Sequence, residues 1–177
     1  MWRSAFDEFC QVRLKLRYFG PIEILQEHGT FQGEGFLITA IQCSLIEFLE
    51  STIQGVTYRH LKRGETLQPY EYSSSSQIFM SFLTKRDPFR AVFSDAVASD
   101  FYSNVRCGLL HEARTKNGWL IWAINPTGAI IDPSKKILFR DNMQNALIQF
   151  ISNYGAELQC NVEYQAAFIR KFDSLCE

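Results

Sequence analysis

Of the three histidines in the chain, one stands where an imidazole can do chemistry near neutral pH. His28 and His60 fall in segments that read as loops, with no partner for the ring. His111 closes the run Arg106-Cys107-Gly108-Leu109-Leu110-His111. Arginine and histidine together suit the cutting of a phosphodiester. The imidazole can take the proton from a ribose 2′-hydroxyl or hand one to the leaving 5′-oxygen. The guanidinium presents a planar fork to the phosphate and stabilises charge developing on the non-bridging oxygens. Such a reaction needs no metal. No phosphate loop, dinucleotide fingerprint, nucleophile elbow or His-Glu-x-x-His zinc helix suggests another chemistry, and no cofactor is expected.

Helical spacing supplies neighbours for the pair. Asn104, Cys107, His111 and Arg114 fall on one stripe at intervals of three and four. Glu47 follows Phe36, Ala40 and Cys43 along one face of an apolar helix, where a carboxylate needs a partner, and Arg106 is the expected one. Arg114 and Lys116 lie just beyond His111 and are placed to meet an RNA backbone. Five α-helical residues turn about 140°, so Arg106 and His111 share a face only through a bend at Gly108, fraying before His111, or a second subunit. Left alone at a helix end, His111 would do no more than face the last carbonyls and the negative end of the dipole. Cys107 reads as a small packing residue, and Trp119 and Trp122 as packing or interface residues.

These residues must be positioned by helices. Phe6, Phe9, Cys10, Val12, Leu14 and Leu16 alternate with charges in a first amphipathic helix, which Gly20-Pro21 stops. The segment from about Phe36 to Gln54 is apolar nearly all round and belongs at the centre of a bundle, with Gly55 as its C-terminal stop. Residues 56–72 are irregular and carry Arg59, His60, Lys62 and Arg63. Ser73 to Ser76 cap a short helix that runs through Leu83 and ends before Asp87-Pro88. The motif helix runs from Ala96 to about Glu112 on a ridge of Val97, Phe101 and Val105. Gly118 to Ile124, the turn Asn125-Pro126-Thr127-Gly128 and Ala129 to Ile131 read as a β-hairpin, with a third short strand at Ile137 to Phe139. Met143, Leu147, Phe150, Ile151, Tyr154 and Leu158 mark a following helix. Asn161 caps the last one, on a stripe of Val162, Ala166, Ile169, Phe172 and Cys176.

Composition fits one globular domain spanning residues 1–177, at 46% hydrophobic and 21% charged residues. A net charge of −1 supplies no whole-molecule field for nucleic acid or anionic membrane, so an anionic ligand must be met by a local basic patch. Five cysteines, an odd count without a Cys-x-x-Cys pair, speak against a disulfide framework or zinc site. Neither a signal-peptide run nor a membrane span is read, and a cytoplasmic protein without membrane contact is expected.

On this footing Arg106-x4-His111, late in an apolar bundle, resembles the Arg-x4–6-His motif of the HEPN superfamily. The resemblance covers roughly residues 34–159. It implies a mainly α fold, an antiparallel bundle of four to six helices, here with a β-hairpin insert at about 118–139 after the motif helix. It also implies a metal-independent endoribonuclease of the toxin–antitoxin or anti-phage kind, cleaving RNA by 2′-hydroxyl attack. His111 would be the acid/base and Arg106 the phosphate clamp, oriented by Glu47 and Asn104, with Arg114 and Lys116 on the substrate. A homodimer follows from the same resemblance, as does an antitoxin or defence-system partner. The family also contains members that only dimerise or bind, so a non-catalytic interaction module of the same fold is the alternative.

Overall fold

The computed structural model of the chain describes residues 1–30 and 32–176. It is mainly helical, with six helical runs among the described residues: α1 over 2–28, α2 Glu34–Gln54, α3 Ser75–Lys85, α4 over 95–112, α5 Arg140–Glu157 and α6 Val162–Cys176. Five short strands accompany them: β1 Thr57–Tyr58, β2 Glu71–Tyr72, β3 Leu120–Trp122, β4 Ile131–Asp132 and β5 Ile137–Phe139.

Helix α2 takes the centre that its apolar circumference predicts, touching each of the other five helical runs. Ile38, Cys43, Leu45, Ile46 and Leu49 are buried along it, and Gly55 ends it in the left-handed conformation (φ 64°). By length and composition α2 could cross a membrane, which corrects the reading of the sequence that found no such span, but most of it is buried in the bundle. Around it sits an aromatic core. Phe79, Phe82, Phe89, Phe93 and Phe101 are essentially inaccessible, and Phe82 packs edge-on against Phe150 while Phe101 does so against Trp119. Each such ring contributes about 1.5–3 kcal/mol by leaving water.

At α1 the structure differs from expectation. The helix does not stop at Gly20-Pro21 but runs on through His28. Two π-helical stretches, Phe6–Gln11 and Lys15–Phe19, account for this. The wider π turn immediately before Pro21 loosens the contact between the proline ring and the carbonyl four residues back, the clash that ordinarily breaks a helix. The same widening buries Phe6, Cys10 and Leu14, spaced by four, and turns Phe9, Val12 and Leu16 outward. The buried face of α6 is likewise rotated from the expected stripe. Ala167, Phe168, Lys171 and Phe172 face the core, whereas Val162, Ile169 and Cys176 are exposed.

The β insert also has a different topology. Its strand order is β3-β5-β4, with β3 parallel to β5 and β4 antiparallel to β5. The Asn125–Gly128 turn forms, its Gly128 N–H donating to Asn125 O, yet the strands on either side of it do not pair. The hairpin lies instead between β4 and β5, around a turn in which Asp132 Oδ1 accepts from the Ser134 and Lys135 N–H groups. Burial explains the order. All three residues of β5 are buried and claim the middle, while β3 alternates exposed and half-buried and takes an edge. In residues 56–72, β1 and β2 form a two-stranded parallel pair that the sequence pattern does not announce. The basic cluster there is partly spent internally, since Arg59 pairs with Glu71 and Glu65.

Candidate functional site

Helix α4 changes character just before the motif. An α-helical turn, Asp95–Phe101, gives way to a π-helical stretch, Tyr102–Arg106, and then to α-helix again over Cys107–Glu112. Arg106 therefore closes a π stretch, a departure from regular helix that is frequent at functional positions. Phe101 and Val105 are fully buried and anchor the helix on the core, which turns Tyr102 and Arg106 along its flank toward α2.

There Arg106 meets the expected partner. Its Nη2 donates to Glu47 Oε2 at 3.3 Å, each side chain 17% exposed, and its guanidinium lies 5.3 Å from the centre of the Tyr102 ring. Burial opposes the charge of Arg106. The pull of Tyr102 and Glu47 outweighs that, and its pKa rises above the ordinary arginine value. Glu47 gathers more than this one donor. Tyr72 Oη donates to its Oε1 at 3.2 Å from β2, and Lys171 on α6 feels its charge. Lys171 is 5% exposed, donates from Nζ to Val56 O at 2.9 Å, and sits 5.9 Å from the centre of the Phe48 ring. Burial pushes its pKa down to about 8, against the pull of Glu47. Cys43, below Arg106 on α2, is pushed up to about 12 by burial and stays a thiol.

The other expected site residues are distributed differently. His111 is exposed near the C-terminal end of α4, five α-helical positions on from Arg106, so the two do not share a face. Gly108 lies inside this helical segment and serves a close approach. It admits the returning chain, since a Cβ there would strike Arg114 O, and Lys116 N–H donates to Asn104 O at 2.8 Å. Asn104 does not orient either motif residue: its side-chain amide donates to Asp100 Oδ1 at 2.8 Å. Asp100 is a junction, also accepting from Asn117 Nδ2 and Trp119 Nε1 and pairing with Lys136. Burial works against its charge, but the Trp119, Lys136 and Asn117 donors hold its carboxyl below the usual range. Its role is to fasten the β insert to α4. Arg114 and Lys116 both pair with Glu112 on the surface.

Five clefts on the described surface are lined by other side chains, with neither Arg106 nor His111 among them. One of 260 Å³ lies beside the end of α4, between Gly33, Phe36, Leu37 and Ala40 on one side and Leu109 and Ala113 on the other. Phe36 and Leu37 in its wall are 43% and 52% exposed, and Leu110, next to Leu109, is 53% exposed.

Two buried charged groups off the motif, Glu50 and Lys171, are not marked by the sequence pattern. Glu50, one turn beyond Glu47 on α2, is fully inaccessible, held by Arg86 Nε and Nη2 at 2.8 and 3.0 Å, Ser81 Oγ at 2.8 Å and Gln54 Nε2 at 2.6 Å. Its partner is 31–36 positions away in sequence, so no local spacing marks it. Lys171 is the other omission; it lies between the apolar residues Phe168 and Phe172, where a lysine reads as a break in the stripe.

What fold and site define together is a mainly helical protein with a charged knot of Glu47, Arg106, Tyr72 and Lys171 at the meeting of α2, α4, β2 and α6, and an exposed histidine at the end of α4. Compared with known proteins, the chain matches no family model, no curated protein and no solved structure.

Proposed function

We propose that the chain is a HEPN-like, metal-independent endoribonuclease that works as a homodimer. The observation that carries this reading is the Glu47–Arg106 pair, which holds a guanidinium at the end of a π stretch one helical segment before an exposed histidine. Each chain supplies half of what cleavage requires. Arg106 and His111 diverge within one α4, so a phosphate reached by the Arg106 of one protomer would be served by the partner's imidazole. The exposed Phe36, Leu37 and Leu110 beside the end of α4 give a second copy an apolar surface to cover. In the reaction, His111 takes the proton of the 2′-hydroxyl, the 2′-oxygen attacks phosphorus, and the bond to the 5′-oxygen breaks as that oxygen receives the proton back from the His111 imidazolium. The products are a 2′,3′-cyclic phosphate and a 5′-hydroxyl. Arg106 neutralises the phosphorane charge, and Arg114 and Lys116 exchange Glu112 for RNA phosphates.

A second reading has its own support. Arg106 is already paired and only 17% exposed, which suits a non-catalytic module in which the pair braces the bundle. Purified protein incubated with mixed RNA in EDTA separates the two. Cleavage to cyclic-phosphate ends, lost by about 10²–10⁴-fold in His111→Ala, fits removal of a general acid/base. Because His111 is exposed, that variant keeps its fold. Cleavage unchanged in His111→Ala removes His111 from the mechanism, and no cleavage of any RNA leaves the interaction module.

A further inference from the structure

Opposite the charged knot, α2 begins at a second and separate site. Its first turn, Gly33 to Phe36, forms one wall of a cleft of 160 Å³, and Ile121, Trp122 and Ala123 of the β insert form another. The floor is Arg140, the first residue of α5. Arg140 is 7% exposed, yet among the described residues its guanidinium donates no hydrogen bond. Its Nε is buried without a hydrogen-bond partner, a position for which natural folds ordinarily provide one. The nearest charge is Asp141 Oδ1, 3.5 Å from Nε, and that carboxylate is already taken by Gln26 Nε2 at 2.8 Å. Glu34 also borders the cleft, but its carboxylate turns back on the preceding loop, accepting the Gln32 N–H at 2.9 Å. Gln42, whose Nε2 donates to Arg140 O at 2.8 Å, likewise keeps a buried Oε1 without a partner.

The guanidinium is aimed at the helix. A Cβ added to Gly35 would stand 3.2 Å from Arg140 Nη1 and 3.4 Å from Ile121 Cγ2, so the absence of a side chain at Gly35 keeps the space between them open. The Phe36 N–H of that first turn is taken by Gly33 O at 3.0 Å, but the 21-residue helix still turns the positive end of its dipole to the same space. A tetrahedral oxyanion answers both at once, taking a fork from Arg140 on one side and facing the positive end of the helix on the other. Phe36 and the half-exposed Trp122 flank it with flat apolar surface.

We propose that this cleft binds a phosphate group, carried by a small ligand whose ring lies against Trp122. The assignment does not depend on the ribonuclease reading, because none of its residues belongs to the Arg106–His111 motif. The test is calorimetric titration and thermal unfolding of the full chain with three probes: inorganic phosphate, adenosine 5′-monophosphate and acetate. Wild type should bind phosphate, bind the nucleotide at least tenfold more tightly, and quench Trp122 fluorescence with the nucleotide. Arg140→Met keeps the aliphatic stem and removes the charge and its N–H donors. It should melt no lower than wild type without ligand and lose at least tenfold in phosphate affinity. Gly35→Leu plugs the cleft from the opposite wall, leaves every charge in place, and should abolish binding too. Binding of phosphate alone, with no gain from the nucleoside, would restrict the site to the free anion and overturn the ring contact. Acetate binding as tightly as phosphate, wild-type affinity in both variants, or no response to any probe would overturn the site itself.

Discussion

Removing Arg86 should unfold this protein more readily than any single surface change, and the reason can be worked from its partner. Glu50 is fully inaccessible, while Arg86 retains 21% of its side-chain exposure at the rim. With Arg86→Met, Ser81 Oγ and Gln54 Nε2 still reach the carboxylate, but its charge has lost the guanidinium bonded to it at two points. Breaking a buried pair from one side costs about 3–5 kcal/mol, because the charge left behind is desolvated without compensation. For a domain of this length, about 2–4 °C of melting temperature goes with each kcal/mol, so a fall of roughly 6–20 °C is expected. The double variant Glu50→Leu/Arg86→Met removes both charges and should recover most of that loss, since well-packed apolar replacements of buried pairs are often neutral. Urea unfolding followed by circular dichroism gives the free energies for the cycle. A single variant within about 1 kcal/mol of wild type, or a double variant no more stable than the single, would refute the claim that Glu50 is an uncompensated charge once Arg86 is gone.

Lys171 gives a pH signature of opposite origin. Its folded pKa of about 8 lies below its ordinary value of 10.5 because burial penalises the ammonium, so the unfolded chain holds more protons between those limits and stability rises with pH across that window. The penalty is fully present below pH 8 and amounts to about 3 kcal/mol at about 1.36 kcal/mol per unit. Lys171→Met has no such dependence, so the free-energy difference between the two proteins, measured in urea from pH 7.5 to 10.5, should move toward wild type by about that amount; a constant difference would show that Lys171 is not charged against its surroundings. Glu47→Gln keeps an acceptor for Tyr72 but withdraws the carboxylate from Arg106, and should cost about 1–3 kcal/mol in the same assay. No loss there would mean that Arg106 is held by the Tyr102 ring and its own stem rather than by Glu47.

What could be read from the sequence, and what could not, divides along one physical line. Features set by local spacing were legible: α2 as the central helix, Gly55 as its stop, the Asn161 cap on α6, the Asn125–Gly128 turn, and the stripe of α5. So was the Glu47–Arg106 pair, because a carboxylate on an apolar helix demands a cation and the motif offers one. Features decided by competition between distant segments were not. Strand β5 displaced β4 from beside β3 because it is the more completely buried, a property that alternation within each strand does not rank. The two π stretches in α1 depart from the α-helical period, and Phe9 and Leu16, which lie within them, face outward. Stripe arithmetic on an ideal helix placed Asn104 beside His111, whereas it bonds Asp100 one turn back. Arg140 shows the division most sharply. In sequence it is one arginine following Ile-Leu-Phe, with nothing to mark it. Only when β5 carries it into the space beneath Gly35 does a guanidinium with a buried, unbonded Nε meet a helix N-terminus, and that meeting belongs to the fold alone.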